Sequence, residues 1–338
     1  MILVTGGTGF VGSHLLYQLA TTSSQPIRAI KRQSSSLEMV NSIFRYYTNN
    51  PEQLLAKIEW VNADLLDVDE LEDAFVGVTH IYHTAALVSF NSKRAKEIIE
   101  VNQTGTANLI NLSLKNRIEK FCFVSSIAAL GSEPDGGQIS ETSDWTPSES
   151  HSTYSYSKFW AEMEVWRGVR EGLNCVIVNP SVIIGIGNWT SGSSKFFSTV
   201  KKGLKYYGTG SIGFVALADV AKAMVLLMNS DISNERFVLN SENLSYKEFL
   251  ILIANALQVT PPQKPLTKTI GSLGWRVAKI LALLTGKEPL ITRQSIATSF
   301  KNSSYSAKKI EDQLQFKFRP INEVVNETAQ QFIADSKV

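Results

Sequence analysis

Met1-Ile-Leu-Val-Thr5-Gly6-Gly7-Thr8-Gly9-Phe10-Val11-Gly12 opens the chain as a short apolar run feeding a glycine-rich turn. Ile2, Leu3 and Val4 suit a strand buried on both faces, and residues 13–20 continue with apolar residues at helical spacing. Gly6 and Gly9 permit backbone geometry and close approach that a Cβ would block. Gly12 lets the helix sit tightly on the strand. An anion can then rest on the N–H groups at the helix start, around Phe10 and Val11. A glycine pattern alone is an ordinary turn. Set between a strand and a helix, it is a dinucleotide-binding signature.

Outward from this turn, strands and helices alternate. Strands are expected at residues 26–30, 58–61, 80–83, 120–124 and 175–180, each nearly continuous in apolar residues. Helices are expected over 34–50, 68–75, 95–116 and 154–171. Regular alternation of this kind argues a parallel sheet with helices on both faces and right-handed crossovers. Residues 131–153, rich in Gly, Ser, Glu and Pro, read as a long loop. Beyond Ser181 the rhythm becomes irregular. Segments near 193–205 and 246–257 look helical, while a helix at 220–228 and a strand at 237–239 return to the main sheet. The expected fold is α/β, a Rossmann-type doubly wound parallel sheet with a smaller C-terminal substrate lobe. Residues 1–180 and about 214–242 form the nucleotide-binding domain. Residues 181–213 and 243–338 form the lobe.

The 338 residues carry a net charge of +2 and are 43% hydrophobic, a balance that gives no argument for nucleic acid as a partner. The apolar run at 273–284 contains Arg276 and Lys279 and is too short to span a bilayer. With the first strand at residue 2, no leader is expected. Cys122 and Cys175 lie in core strands without metal or redox spacing. A reduced, cytoplasmic protein acting on a small molecule is expected.

Two further clusters carry chemistry. In Tyr154-Ser-Tyr-Ser-Lys158 the four-residue spacing stacks Lys158 beside Tyr154 on one helix face, and Tyr156 points elsewhere. A neighbouring ammonium stabilises phenolate, which a tyrosine acid/base needs. Ser125-Ser126 ends the fifth strand, at the sheet edge where ligands of open parallel sheets bind. At the end of the second strand stand Lys31 and Arg32, with no acid before Glu38. A dinucleotide without a 2′-phosphate is usually met there by Asp or Glu, whereas cations suit the phosphate of NADP(H). NADP(H) is therefore expected over NAD(H), with Arg32 the better phosphate ligand because its planar fork binds bidentately.

Taken in order, TGGTGFVG, Asp64-Leu65, Thr84-Ala85-Ala86, Asn102, Ser125-Ser126, YxxxK and Asn179-Pro180-Ser181 resemble an extended short-chain dehydrogenase/reductase of the NAD-dependent epimerase/dehydratase superfamily. The resemblance covers most of the chain. It implies Ser126 as the substrate-orienting hydroxyl, with Ser125 the alternative, Tyr154 as the proton-transfer residue, and Lys158 on the nicotinamide ribose. It also implies Asp64 and Leu65 beside the adenine, Thr84, Ala85 and Ala86 along the cofactor, and Pro180 to Val182 near the nicotinamide. Asn102 takes a minor structural role. A homodimer through the helices bearing Val101 and YxxxK is compatible with the resemblance.

Departures narrow the subclass. Ile127-Ala128-Ala129 follows Ser126 where 4,6-dehydratases resembling this fold carry an acidic pair, and Leu130 stands where epimerases often carry an aromatic. The run Asn179 to Gly185 is similar to the branch holding dihydroflavonol and cinnamoyl-CoA reductases, although Ile186 replaces its usual proline. The expectation is an NAD(P)-dependent oxidoreductase moving a hydride between nicotinamide and a carbonyl or secondary alcohol. The alternatives are an NAD-dependent nucleotide-sugar epimerase and a non-catalytic cofactor-sensing protein. For an epimerase, Lys195, Lys201, Lys202 and Lys205 are candidate diphosphate ligands, with Arg276, Arg293 and Arg319 as candidate clamps. The apolar face of Leu273, Trp275, Val277, Ile280, Leu281 and Leu284, near the expected substrate side, argues an apolar substrate or a lobe core.

Overall fold

Ile2–Thr5 forms β1, buried at every position, and the glycine turn hands it over to α1 (Phe10–Thr22). The computed structural model describes residues 1–89, 92–133, 136–147, 151–285 and 292–336. The alternation continues through β2 (Ile27–Lys31), α2 (Glu38–Tyr47), α3 (Pro51–Leu55), β3 (Ile58–Asn62), α4 (Val68–Ala74) and β4 (His80–His83). Next come α5 (Ala95–Ile99), a π-helical stretch (Glu100–Thr104), α6 (Gly105–Lys115) and β5 (Lys120–Val124). Past the long loop lie α7 (Thr153–Arg170), β6 (Cys175–Pro180), β7 (Val182–Ile184), α8 (Lys195–Lys201) and β8 (Tyr206–Tyr207). They lead to β9 (Ser211–Ala216), α9 (Leu217–Asn229), β10 (Glu235–Leu239), β11 (Glu242–Ser245) and α10 (Tyr246–Ala256). The tail holds β12 (Lys264–Pro265), α11 (Lys268–Thr285), α12 (Arg293–Thr298), α13 (Lys308–Leu314) and α14 (Ile321–Asp335).

Seven strands pair in parallel in the order β10-β6-β5-β4-β1-β2-β3. The order turns back at β1, between β4 and β2, and an open sheet of this kind leaves its crevice at the carboxyl edge there. Alternation along the strands divides the faces. Val4, Tyr82, Cys122 and Val176 pack with α1, α2 and α9, while Leu3, Ile81, Phe121 and Ile177 pack with α4, α6 and α7. Each such side chain contributes roughly 1.5–3 kcal/mol on burial. Burial on both faces is why these strands read as continuous apolar runs.

At Ser181 the chain leaves this sheet. β7, β9 and β11 form a separate three-stranded sheet, with Phe197, Phe214, Phe249, Ile253, Val325 and Phe332 in its core. Within residues 214–242, Phe214 to Ala216 therefore belong to the second sheet, while α9 and β10 belong with the first. The tail also divides. Ala307, Ile310 and Phe316 join the core under β10 before α14 joins the second one.

Several elements differ from the expectation. The helix expected over 95–116 is broken by the π-helical stretch, where Asn102 bonds the Leu87 backbone both ways (2.7 and 3.0 Å) and Ser157 Oγ (2.9 Å). Residues 34–50 supply a helix only over Glu38–Tyr47, and Pro51 starts the unforeseen α3, as proline favours a first helical position. The described parts of residues 131–152 have no helix or strand beyond an isolated bridge from Ile139 to Tyr305, and Thr153 already starts α7; residues 134–135 and 148–150 lie outside the described residues, as do the side chains of Ile280, Leu281 and Leu284. Among the described residues no helix is long and apolar enough to cross a membrane, and no cluster could hold a metal ion.

Candidate functional site

The glycine turn closes on itself through the Gly9 N–H bonding Gly6 O at 2.9 Å. Gly6 has φ +70°, open to glycine at little cost. A Cβ there would lie 2.5 Å from Ala85 N, and one on Gly12 would lie 2.1 Å from Gly6 O. The turn is thus pressed between α1 and the chain leaving β4. Thr84 Oγ1 donates to Thr5 O at 2.7 Å and locks that second wall, with Ala85 beside it and Ala86 exposed. Gly9 caps α1 without a side chain, and the first turn has no acid. The N–H groups of Phe10, Val11 and Gly12 precede the first i→i−4 bond of the helix, made by Ser13 to Gly9 O at 3.0 Å. That end carries partial positive charge and suits an anion.

β5 delivers two serines to the same edge. Ser125 is 4% exposed and donates to Glu162 Oε2 at 2.6 Å. Ser126 accepts from Ala128 N–H at 3.1 Å and shares a hydrogen bond with the Tyr154 hydroxyl. α7, capped by Ser152 accepting from Ser155 N–H, carries Tyr154 on its first turn and Lys158 on its second. Burial raises the tyrosine's pKa, and the Ser126 hydrogen bond opposes that rise. Lys158 is 2% exposed. Its Nζ donates to Val124 O at 2.7 Å and sits 4.3 Å over the Phe123 ring centre. Burial lowers its pKa to about 7, with the Glu162 charge pulling the other way. Tyr156 packs instead against Trp145 of the long loop, ring centres 5.1 Å apart.

Sequence reasoning missed the group beneath these residues. Glu162 is fully buried, and besides Ser125 its carboxylate accepts from Asn179 Nδ2 at 2.9 Å and Arg236 Nη1 at 3.0 Å. Asn179 also donates to Ser126 O at 3.1 Å. Arg236 continues to Glu141 O at 2.6 Å, anchoring the long loop to β10. One carboxylate thus ties α7 to the ends of β5 and β6 and to β10, with good geometry for a buried charge. A signal was present: residue 162 repeats the four-residue step of 154 and 158, which puts an acid on the same inward helix face.

The remaining candidates spread along the carboxyl edge. Lys31 Nζ donates to Asn62 Oδ1 at 2.9 Å on β3, while Arg32 is exposed just beyond β2. Asp64 Oδ1 accepts from Leu66 N–H at 3.0 Å, and buried Leu65 packs over Gly105. Pro180 ends β6 in full burial, and Val182 starts β7 half-buried. At this crossing two buried atoms, Asn179 Oδ1 and Ser181 Oγ, have no hydrogen-bond partner among the described residues. Buried polar atoms rarely stay so. Of the candidate clamps, Arg319 is paired with Glu327 at 2.5 Å, and Arg276 lies 4.9 Å over the Trp275 ring.

Comparisons with known proteins bear on the family and on the fold. Residues 2–239 match the family described as "NAD dependent epimerase/dehydratase family". The chain is 28% identical over 321 residues, 92% of this chain and 88% of the relative, to the "Putative dihydroflavonol 4-reductase" of Synechocystis sp.. The crystal structure of gox2253 is 28% identical, with a TM-score of 0.81 over 100% of this chain and 99% of that one. The UDP-glucose 4-epimerase of Thermus thermophilus, solved with NAD, shares the fold at 23% identity, with a TM-score of 0.74 over 98% of each chain.

Proposed function

Because the chain belongs to the NAD-dependent epimerase/dehydratase family, a family of enzymes, we propose that it transfers a hydride between a nicotinamide cofactor and a carbonyl or secondary alcohol carbon. The observation that carries this reading is the meeting of Ser126, Tyr154 and Lys158 at the carboxyl end of β5, on the same sheet edge as the glycine turn that follows β1. The bound cofactor supplies the hydride chemistry. The fit of the residues to such a cofactor rests on the uncapped start of α1 and on the two unsatisfied buried atoms near Pro180 and Val182.

In this reading Tyr154 passes the proton that accompanies the hydride, and Ser126 holds the substrate oxygen beside it. Lys158 holds the nicotinamide ribose and, in its protonated form, lowers the cost of phenolate. Asp64, Leu65, Thr84, Ala85 and Ala86 line the path of the cofactor. NADP(H) is the preferred form, because Arg32 is exposed at the end of β2 while Lys31 is already engaged by Asn62. The substrate is apolar around its reacting carbon. A nucleotide sugar would need a convergent arginine clamp, and of the candidates Arg319 is already paired with Glu327.

Exposed Ile99 and Trp160 support a homodimer through α5 and α7, and the free buried cysteines support a reducing, cytoplasmic setting. The test is a turnover screen of ketones, secondary alcohols and nucleotide sugars with both cofactors. Tyr154→Phe should lose about 10²–10⁴ in turnover with folding and cofactor affinity kept. Turnover of UDP- or GDP-sugars alone would transfer the site to the epimerase reading, and near-normal turnover by Tyr154→Phe would remove the mechanism.

A further inference from the structure

Three residues of α7 meet three successive residues at the end of β5. Lys158 Nζ donates to Val124 O, Ser125 Oγ donates to Glu162, and Tyr154 shares its hydrogen bond with Ser126. Residues 154, 158 and 162 stand one helical turn apart, which sets a phenol, an ammonium and a carboxylate in a row on one face. Glu162 is the member to which proton transfer gives no task. Its Oε2 accepts from Ser125 Oγ (2.6 Å) and Asn179 Nδ2 (2.9 Å), and its Oε1 from Arg236 Nη1 (3.0 Å) and Trp166 Nε1 (3.3 Å). The carboxylate is thus fixed from both neighbouring strand ends, from β10 and from its own helix.

Its neighbour in the row is Lys158, a cation that burial opposes and the Glu162 charge supports. Among the described residues, the other groups facing Lys158 bring no negative charge. On β4, burial and the Lys158 charge push His83 down to about 3, and the neutral ring bonds Thr5 Oγ1 and Thr106 Oγ1. β5 offers the Phe123 ring and Val124 O, and α7 itself the Tyr154 phenol. Arg236 is spent on Glu162 and on Glu141 O, and the Glu141 carboxylate accepts from Val238 N–H at 2.8 Å on β10.

We propose that Glu162 is a positioning residue of the hydride-transfer site, supplying from a fully buried place, out of reach of substrate and cofactor, the negative charge that keeps Lys158 cationic during turnover. The proposal deepens the hydride-transfer reading and rests on it.

The test compares pH profiles of carbonyl reduction by the parent and by Glu162→Gln. Glutamine keeps the shape and an acceptor oxygen, so that Asn179 can still hold Ser126 O, and removes only the charge. In the parent, kcat should fall above about pH 7 as Lys158 loses its proton. In the variant that limb should move to lower pH by about one unit or more. Turnover would then drop about tenfold at pH 8 and less than about threefold at pH 6, with KM nearly unchanged. Should the single variant not fold, Glu162→Gln with Arg236→Gln leaves no unpaired charge and should shift the limb in the same direction. Titration of Lys158 by ¹³C NMR of lysine Cε, assigned with Lys158→Met, reads the same shift without substrate. If the parent turns over no carbonyl or alcohol, the hydride-transfer reading fails by itself, and the NMR shift still decides whether Glu162 governs Lys158. An unshifted limb and an unshifted Lys158 titration in a folded variant would overturn the proposal. So would a loss of turnover uniform across pH, or failure of both variants to fold, either of which would leave Glu162 a structural residue.

Discussion

Ser125 Oγ donates a 2.6 Å hydrogen bond to the buried Glu162 carboxylate, and this gives two adjacent serines different roles. Ser125 belongs to the scaffold under the site. Ser126, one residue on, is left facing the Tyr154 hydroxyl.

The two serines should therefore separate on substitution. Ser125→Ala removes one donor from a buried carboxylate and should cost about 1–3 kcal/mol of stability with little direct effect on the chemical step. Ser126→Ala should do the opposite, with turnover falling and urea unfolding shifting by less than about 1 kcal/mol. Urea melts beside turnover measurements decide it. Equal loss of turnover in both, with equal stability, would merge the roles again.

Gly12→Ala should lose cofactor binding and stability together. The added Cβ would lie 2.1 Å from the carbonyl oxygen of Gly6, which is backbone and cannot swing aside. Overpacking of this kind costs about 1–3 kcal/mol. Thermal melting with and without cofactor should show a lower midpoint and no ligand-induced rise. Gly77→Ala is a useful control: it lies in open space, so only its φ of +76° resists the change.

Arg32→Ala should weaken NADPH binding about tenfold or more and leave NADH almost unchanged, because the guanidinium answers only the 2′-phosphate. Lys31→Ala should do less, since that ammonium already serves Asn62. Fluorescence titration with both cofactors reads the difference. NADH binding as tightly as NADPH in the unmodified protein would end the preference.

Two buried groups should each contribute stability that rises with pH, in separate windows. Burial lowers His14 to about 4, although its bond to Ile186 O and the Glu327 charge oppose this, and burial lowers Lys158 to about 7. Unfolded, these groups titrate near 6.5 and 10.4. Between the folded and unfolded values the unfolded chain binds the extra proton, so the unfolding free energy increases with pH. The His14 contribution, roughly 3 kcal/mol, is complete above pH 6.5 and lost as pH falls through about 4. The Lys158 contribution is lost as pH falls from about 10.4 through about 7. Urea melts of His14→Gln and Lys158→Met against the parent should each show a flatter slope in its own window. Slopes identical to the parent would contradict the burial account.

The parallel sheet was legible because its strands are buried on both faces and so are written as apolar runs, of which Ile2 to Val4 and Cys175 to Val178 are the plainest. The glycine turn and the four-residue step from Tyr154 to Lys158 were legible for a similar reason. Both are local geometry, set by residues close in the chain. The π-helical stretch was not, because it depends on Asn102 reaching Leu87 and Ser157, contacts that local spacing does not carry.

By itself, then, the sequence determined which residues share a helix face and which backbone positions must be glycine, since those follow from period and steric room. Only the tertiary structure decided what each face meets. It put Glu162 inward against Ser125, Asn179 and Arg236, and so chose between the serines. It also left Leu273 and Val277 facing outward. Helical period shows that a stripe exists, whereas its cover depends on segments far away in the chain; among the described residues Leu273 and Val277 are left exposed, and α12 buries none of its own side chains.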